Sequence, residues 1–247
     1  MNPQNIYDNP EFFASYMALR QSEGGLNAAL EWPAFARLLP PSLQGQRVLD
    51  LGCGFGDFAR AARSHGAREV IGIDISARML DEARRRTNDP AIAYIQAAIE
   101  EFDAGEGSFE LIVSQLALHY VADYAAVVRR VAAALRGGGR FAFSVEHPMC
   151  TALATGEWHR GPNGAALHWP VDRYRDEGKR RTTWFVDGVI KYHRTLETYV
   201  NVLLAARLQL VRLEEPEAGA EQVIARPELA IHRRRPPFLL MAADRPH

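Results

Sequence analysis

The sequence predicts an α/β fold of the doubly wound kind, a parallel sheet covered by helices on both faces. Three observations carry this expectation. Between residues 46 and 147, short apolar runs rich in Val, Ile and Leu alternate with runs of helical period. Those short runs are apolar on both faces, as strands covered by helices on two sides must be. The first of them runs directly into alternating glycines, a strand-to-helix turn at which a ligand is able to approach backbone.

The elements follow in order. Tyr7 to Phe35 is rich in aromatic and helix-forming residues, is interrupted by Gly24-Gly25 and is closed by Pro40-Pro41, which predicts two short helices ahead of the main fold. Arg47 to Leu51 predicts the first strand, and Asp57 to His65 a helix. Glu69 to Asp74 predicts the second strand, and Ser76 caps a helix through Arg86 with Met79, Leu80 and Ala83 on one face. Ala91–Gln96 and Phe109–Ser114 predict strands three and four. Tyr124, Val127, Val128, Val131 and Leu135 recur at helical spacing, Gly137-Gly138-Gly139 ends that helix, and Arg140–Val145 is a fifth strand. Residues 146–193 hold three of the four tryptophans and four of the eight histidines. There Asp187-Gly188 separates Thr182–Val186 from Val189–His193, the signal of a hairpin with a two-residue turn. A helix over Arg194–Arg207 and strands over Leu208–Glu215 and Phe238–Ala243 complete the chain. The expected organisation is a helical cap over residues 1–45, a core over 46–147, an aromatic-rich lid over 148–193 and closing elements over 194–247.

Composition narrows the function. The 247 residues carry 29 Lys+Arg against 30 Asp+Glu, a formal net charge of −1, with 47% hydrophobic residues. That balance suits a soluble globular enzyme and argues against a nucleic-acid partner; Arg84–Arg86 and Arg233–Arg235 read as solvated faces. Cys53 and Cys150 are too few for a disulfide scaffold and, with His147, too few for a zinc site. No stretch is long enough to cross a membrane and the first residues lack signal-peptide character, so the expectation is a cytoplasmic monomer or homodimer acting on a small molecule.

The sharpest signal is Val48-Leu49-Asp50-Leu51-Gly52-Cys53-Gly54-Phe55-Gly56. A dinucleotide fingerprint needs a third glycine where Asp57 stands, and an acid at that helix start repels a pyrophosphate. A nucleoside cofactor without phosphate fits better. Asp74, 24 residues after Asp50, is suited to accept hydrogen bonds from two ribose hydroxyls, and Ile75 and Met79 to flank an adenine.

These residues, with Ser108–Ser114 before the central helix and Leu135–Arg140 before the fifth strand, resemble class I S-adenosylmethionine-dependent methyltransferases. The resemblance implies a Rossmann-like seven-stranded sheet with an antiparallel last strand. It implies S-adenosyl-L-methionine as cofactor and S-adenosyl-L-homocysteine as product. It places Asp50, Gly52, Cys53, Gly54 and Gly56 by the methionine part and ribose, Asp74 on the ribose, and Ile75 and Met79 on the adenine. Ala98 and Ile99 fall at the adenine edge and Gln115 by the methionine amino group. The family often has Asp where Ala98 stands, which leaves the adenine amino group to backbone or Glu100. Tyr16 and Arg20 resemble a Tyr-x-x-x-Arg segment of part of the family, with Arg20 toward the cofactor carboxylate.

Substrate groups are expected beyond the carboxyl ends of the strands. His119 and His147 are candidate bases with near-neutral pKa, and Tyr7 a candidate at the site and in a lid. Tyr120, Glu146, Trp158, Trp169, Trp184 and Tyr192 are expected around a planar heteroaromatic or phenolic acceptor. The pattern resembles bacterial secondary-metabolite enzymes, toxoflavin-type N-methyltransferases among them. A catalytically silent cofactor-binding sensor and an NAD-dependent oxidoreductase are the alternatives.

Overall fold

The computed structural model describes residues 3–23, 26 and 29–247. The Gly24-Gly25 interruption expected in the cap lies outside the described residues. In chain order the elements are α1 (Pro10–Glu23), α2 (Trp32–Ala36), β1 (Arg47–Leu51), α3 (Asp57–Ser64), β2 (Glu69–Asp74), α4 (Ala77–Arg85), β3 (Ile92–Gln96) and β4 (Phe109–Gln115). They continue with α5 (Tyr124–Ala134), β5 (Leu135–Glu146), α6 (Pro148–Thr151), β6 (His159–Arg160), β7 (Ala166–His168), β8 (Gly178–Trp184) and β9 (Val186–His193). The last elements are α7 (Leu196–Ala205), β10 (Gln209–Glu214), α8 (Ala220–Ala225) and β11 (Phe238–Asp244).

Seven strands form one sheet in the order β10-β11-β5-β4-β1-β2-β3. β1 lies between β2 and β4, parallel to both, with Val48 opposite Val70 and Leu111. β11 runs antiparallel between β5 and β10, so the sheet closes with a reversed last strand. Both faces are covered. Val127, Val128 and Val131 of α5 and Tyr199 and Leu203 of α7 pack on one side; Phe35 of α2 and Phe58, Ala59 and Ala62 of α3 pack on the other. Each large side chain so buried contributes about 1.5–3 kcal/mol, which is why the central strands are mostly apolar on both sides.

Two local expectations are corrected. α5 ends at Ala134, and Gly137–Gly139 lie inside β5 rather than between helix and strand. The glycines allow this: a Cβ on Gly139 would stand 2.9 Å from the Arg136 carbonyl and 3.1 Å from that of Phe109, where the β4–β5 register shifts. The hairpin exists, but its chain reverses at Phe185 (φ +59°), with Asp187 and Gly188 inside β9. Gly188 (φ +82°) lies where the register slips between Thr182↔Val189 and Trp184↔Val186. The Asp-Gly pair therefore serves a bulge instead of the turn.

Candidate active site

The carboxyl ends of β1, β2, β4 and β5 open on one cavity of about 410 Å³, whose other walls come from the N-terminal segment, the hairpin and the stretch before β11. Its floor is the loop after β1. Gly52, Gly54 and Gly56 all take positive φ. A Cβ on Gly54 would meet nothing within 4 Å, so this is the loop's open face. A Cβ on Gly56 would stand 2.0 Å from the Tyr94 hydroxyl, and Cys53 is buried, so those two residues build the loop without lining the cavity.

Asp74, 8% exposed, ends β2 at the cavity wall. Its Oδ2 accepts from the Gly54 N–H and its Oδ1 from the Ser76 N–H, both at 2.9 Å. Burial raises its pKa against the pull of those two backbone bonds. Asp50 lies behind the loop, outside the cavity lining, 2% exposed, with Oδ2 lacking a hydrogen-bond partner among the described residues. Burial first, then the charges of Asp74 and Asp57, push its carboxyl up to about 8.

The sign of that shift makes a stability prediction. Below the ordinary carboxylate value the carboxyl is protonated folded and unfolded, and contributes nothing. As pH rises toward 8 the unfolded chain ionises while the fold retains the proton, so stability is progressively lost. Ligand-free Asp50→Asn should therefore melt above the wild type by a margin that widens from pH 5 to pH 8. Differential scanning calorimetry checks it, and a margin independent of pH would show the carboxyl ionised in the fold.

Ile75, Met79, Ala98, Ile99, Glu100 and Gln115 complete the wall that continues from Asp74. The Gln115 Nε2 is buried without a hydrogen-bond partner among the described residues. Arg20 lines the cavity with one guanidinium nitrogen 3.0 Å from Asp57, the acid at the start of α3, which Arg60 also pairs. Asp8, which sequence reasoning overlooked, accepts from the Ser76 hydroxyl at 2.6 Å and the Arg78 N–H at 3.1 Å, a second cap on α4. Gln4 ties the same segment to the hairpin, donating to the Gly188 carbonyl and accepting from the Ile190 N–H. The N-terminal stretch is thereby strapped across the cavity between β2 and β9.

The lining also holds Tyr7, Tyr16, Tyr120, Trp184 and Glu146. Tyr7 packs edge-to-face on Phe12, Tyr16 and Tyr120, and burial raises its phenol well above the ordinary value. The Glu146 carboxylate accepts from the Lys191 ammonium at 2.5 Å. Burial alone would raise Glu146, but His119, Lys191 and Arg235 outweigh it and hold the carboxyl below its usual range.

The two histidines expected as bases have different surroundings, His119 in the cavity lining and His147 outside it. Burial pushes His119 down to about 4. Its Nδ1 accepts from the Glu146 N–H at 3.4 Å, which leaves the proton on Nε2 and makes the ring a donor. His147 is outside the cavity. Its Nδ1 caps α6 by accepting from the Met149 N–H, and its Nε2 meets Glu215 at 2.7 Å.

The other aromatic residues expected around the acceptor divide. Trp158 packs edge-to-face on Trp169 under the Arg234 guanidinium, and Tyr192 lies by Arg194; neither lines the cavity. Trp169 donates to the Met149 carbonyl and borders a second, adjoining cavity. The far end of the main cavity comes from residues with no local motif: Glu31, Arg226, Leu229, His232 and Phe238. His232 has a buried Nδ1 without a hydrogen-bond partner among the described residues.

No group of metal-ligating side chains occurs among the described residues, and among them no helix is long and apolar enough to cross a membrane. The donor set fits a cationic nucleoside rather than a dinucleotide. Asp74 offers a carboxylate at the β2 tip, Gly54 an open backbone face, and Gln115 an unused polar group, while Asp57 stands where a diphosphate would need N–H donors.

Fold and site together define a doubly wound α/β protein with a crevice for a nucleoside at its strand tips. Residues 48–139 match the model of a methyltransferase domain. The chain is similar to an S-adenosylmethionine-dependent methyltransferase from Mesorhizobium loti, with 45% identity, 90% of this chain and 100% of that one covered, and a TM-score of 0.84. It is 33% identical to an uncharacterized protein of Haemophilus influenzae over 98% of this chain and 97% of that one. The 1,6-didemethyltoxoflavin-N1-methyltransferase of Burkholderia thailandensis shares the fold at 20% identity and a TM-score of 0.60, with 96% of this chain and 86% of that one covered. The chain belongs to the S-adenosylmethionine-dependent methyltransferases, and S-adenosylmethionine is its cofactor.

Proposed function

We propose that the chain methylates nitrogen or oxygen of a small planar metabolite, a heteroaromatic or a phenol. The observation that carries this reading is the aromatic part of the cavity lining: Tyr7, Tyr16, Tyr120 and Trp184 line the same cavity as Gly54 and Asp74. Flat side chains held in edge-to-face contacts offer rigid apolar walls with a hydroxyl at the rim. Asp74 holds the cofactor ribose, Ile75, Met79, Ala98 and Ile99 surround its adenine, and Gln115 meets its methionine end. S-adenosylmethionine supplies, when bound, an electrophilic methyl on a sulfonium sulfur.

The protein's own part is alignment and exclusion of water. Holding nucleophile and methyl in line is worth roughly 7–11 kcal/mol, more than proton transfer contributes. Glu146, kept ionised by Lys191, accepts a hydrogen bond from the N–H or O–H of the acceptor. His119 donates from Nε2 to the same ring. An acidic heteroaromatic N–H needs no stronger base, which is the support for a toxoflavin-type acceptor within this class.

Calorimetric titration with S-adenosylhomocysteine, followed by turnover on a panel of heterocycles and phenols, tests the reading. Binding is expected at micromolar ligand, with methyl transfer to at least one planar N–H or O–H acceptor. Binding with no turnover on any member would overturn it in favour of a sensor.

A further inference from the structure

A second cavity of about 280 Å³ adjoins the first and shares Glu146, Trp184, Pro237 and Phe238 with it. Its lining is cationic. Arg180, Lys191 and Arg235 face it, and Glu146 is the one acid among its described lining residues. Lys191 is already engaged by that acid at 2.5 Å.

Arg235 is the anomaly. It is 8% exposed, yet no carboxylate lies within ion-pair reach among the described residues. Its Nε is buried without a hydrogen-bond partner among the described residues, and its Nη1 reaches the Cys150 sulfur. The guanidinium is stacked 4.0 Å from the Trp169 ring, which fixes its plane. Arg180, also without a carboxylate partner among the described residues, is held by the carbonyls of Ala152, Lys179 and Asp176. Burying a cation without an ion-pair partner is costly, and one kept in a cavity wall is available to an anion from outside. A planar guanidinium with an unused N–H edge suits a two-oxygen group.

We propose that the methyl acceptor carries an oxyanion, a carboxylate or a phosphate, that docks on Arg235 and Arg180 while its ring reaches past Glu146 and Trp184 into the main cavity. This rests on the reading of the main cavity as the transfer site, and it narrows the acceptor from planar metabolites in general to acidic ones. Arg235 acts in substrate recognition and is a specificity determinant.

The test uses the full chain saturated with S-adenosylhomocysteine and titrates benzoate, its neutral isostere benzamide, and inorganic phosphate. At least one oxyanion should bind at least tenfold more tightly than benzamide, and which one binds identifies the group. Arg235→Gln should lose at least tenfold of that affinity and Arg180→Gln several-fold, with S-adenosylhomocysteine affinity within twofold of wild type. Arg180→Gln keeps the test open if Arg235→Gln does not fold. Oxyanions binding no better than benzamide, or equally well to every variant that folds, would overturn the inference. Failure of S-adenosylhomocysteine itself to bind would instead strike the transfer-site reading.

Discussion

Asp74→Ala raises the dissociation constant for S-adenosylhomocysteine at least tenfold, about 1.4 kcal/mol, in calorimetric titration. The reason lies in what the carboxylate does at once. Each oxygen already receives one backbone N–H, from Gly54 and from Ser76, and each has a further lone pair for a ribose hydroxyl. Charge-assisted bonds to a diol are the stronger kind, and the alanine removes them together with the brace on the glycine loop. Asp74→Asn separates the two contributions. Its amide oxygen keeps one backbone bond and its shape keeps the packing, so its melting temperature stays nearer the wild type than that of Asp74→Ala while its affinity still falls. Wild-type affinity in both variants would make the carboxylate a brace alone.

Asp74 was legible in the sequence because everything that places it is local. An apolar run ends in an acid, a capping serine follows two residues later, and strands read this way at β1 and β2 coincide with the structure to the residue. The aromatic wall was legible only in part. Trp184 reaches the main cavity because the chain reverses at Phe185, and Tyr7 because Asp8 is tied to Ser76, 68 residues away. Trp158 and Trp169 looked equivalent by composition, but they stack with Arg234 and Arg235, residues read as a solvated charge run. His119 looked like a base because its type titrates near neutrality. What lowers it is burial beside the Lys191 and Arg194 charges, which no spacing in the sequence discloses. The far end of the cavity joins Glu31 to His232 across 200 residues of chain, and no periodic pattern connects segments so distant. Local geometry is written in neighbouring residues; the acceptor side of this site is written in tertiary contacts.

The glycine loop allows a sharper separation of fold from function, because two of its glycines are needed for different reasons. Gly52 has φ +75°, and a Cβ there would stand 2.4 Å from the Ala117 Cβ and 3.4 Å from the Ile99 Cδ1. A methyl carried on backbone has no rotamer to escape into. Left-handed strain of about 1–2 kcal/mol and overpacking of about 1–3 kcal/mol add to a loss of about 2–5 kcal/mol of stability in Gly52→Ala. Gly54 has φ +52°, but its Cβ would meet nothing within 4 Å, so Gly54→Ala incurs the backbone strain alone. Its new methyl instead enters the space opposite the Asp74 carboxylate, where the cofactor has to come closest to backbone. Chemical denaturation and S-adenosylhomocysteine titration of the two variants should therefore rank them oppositely. Gly52→Ala is the less stable protein, and Gly54→Ala, folded and destabilised by only about 1–2 kcal/mol, is weakened at least tenfold in affinity. Wild-type affinity in Gly54→Ala would mean that the nucleoside lies elsewhere in the cavity, and the roles assigned to Asp74, Ile75 and Met79 would fall with it.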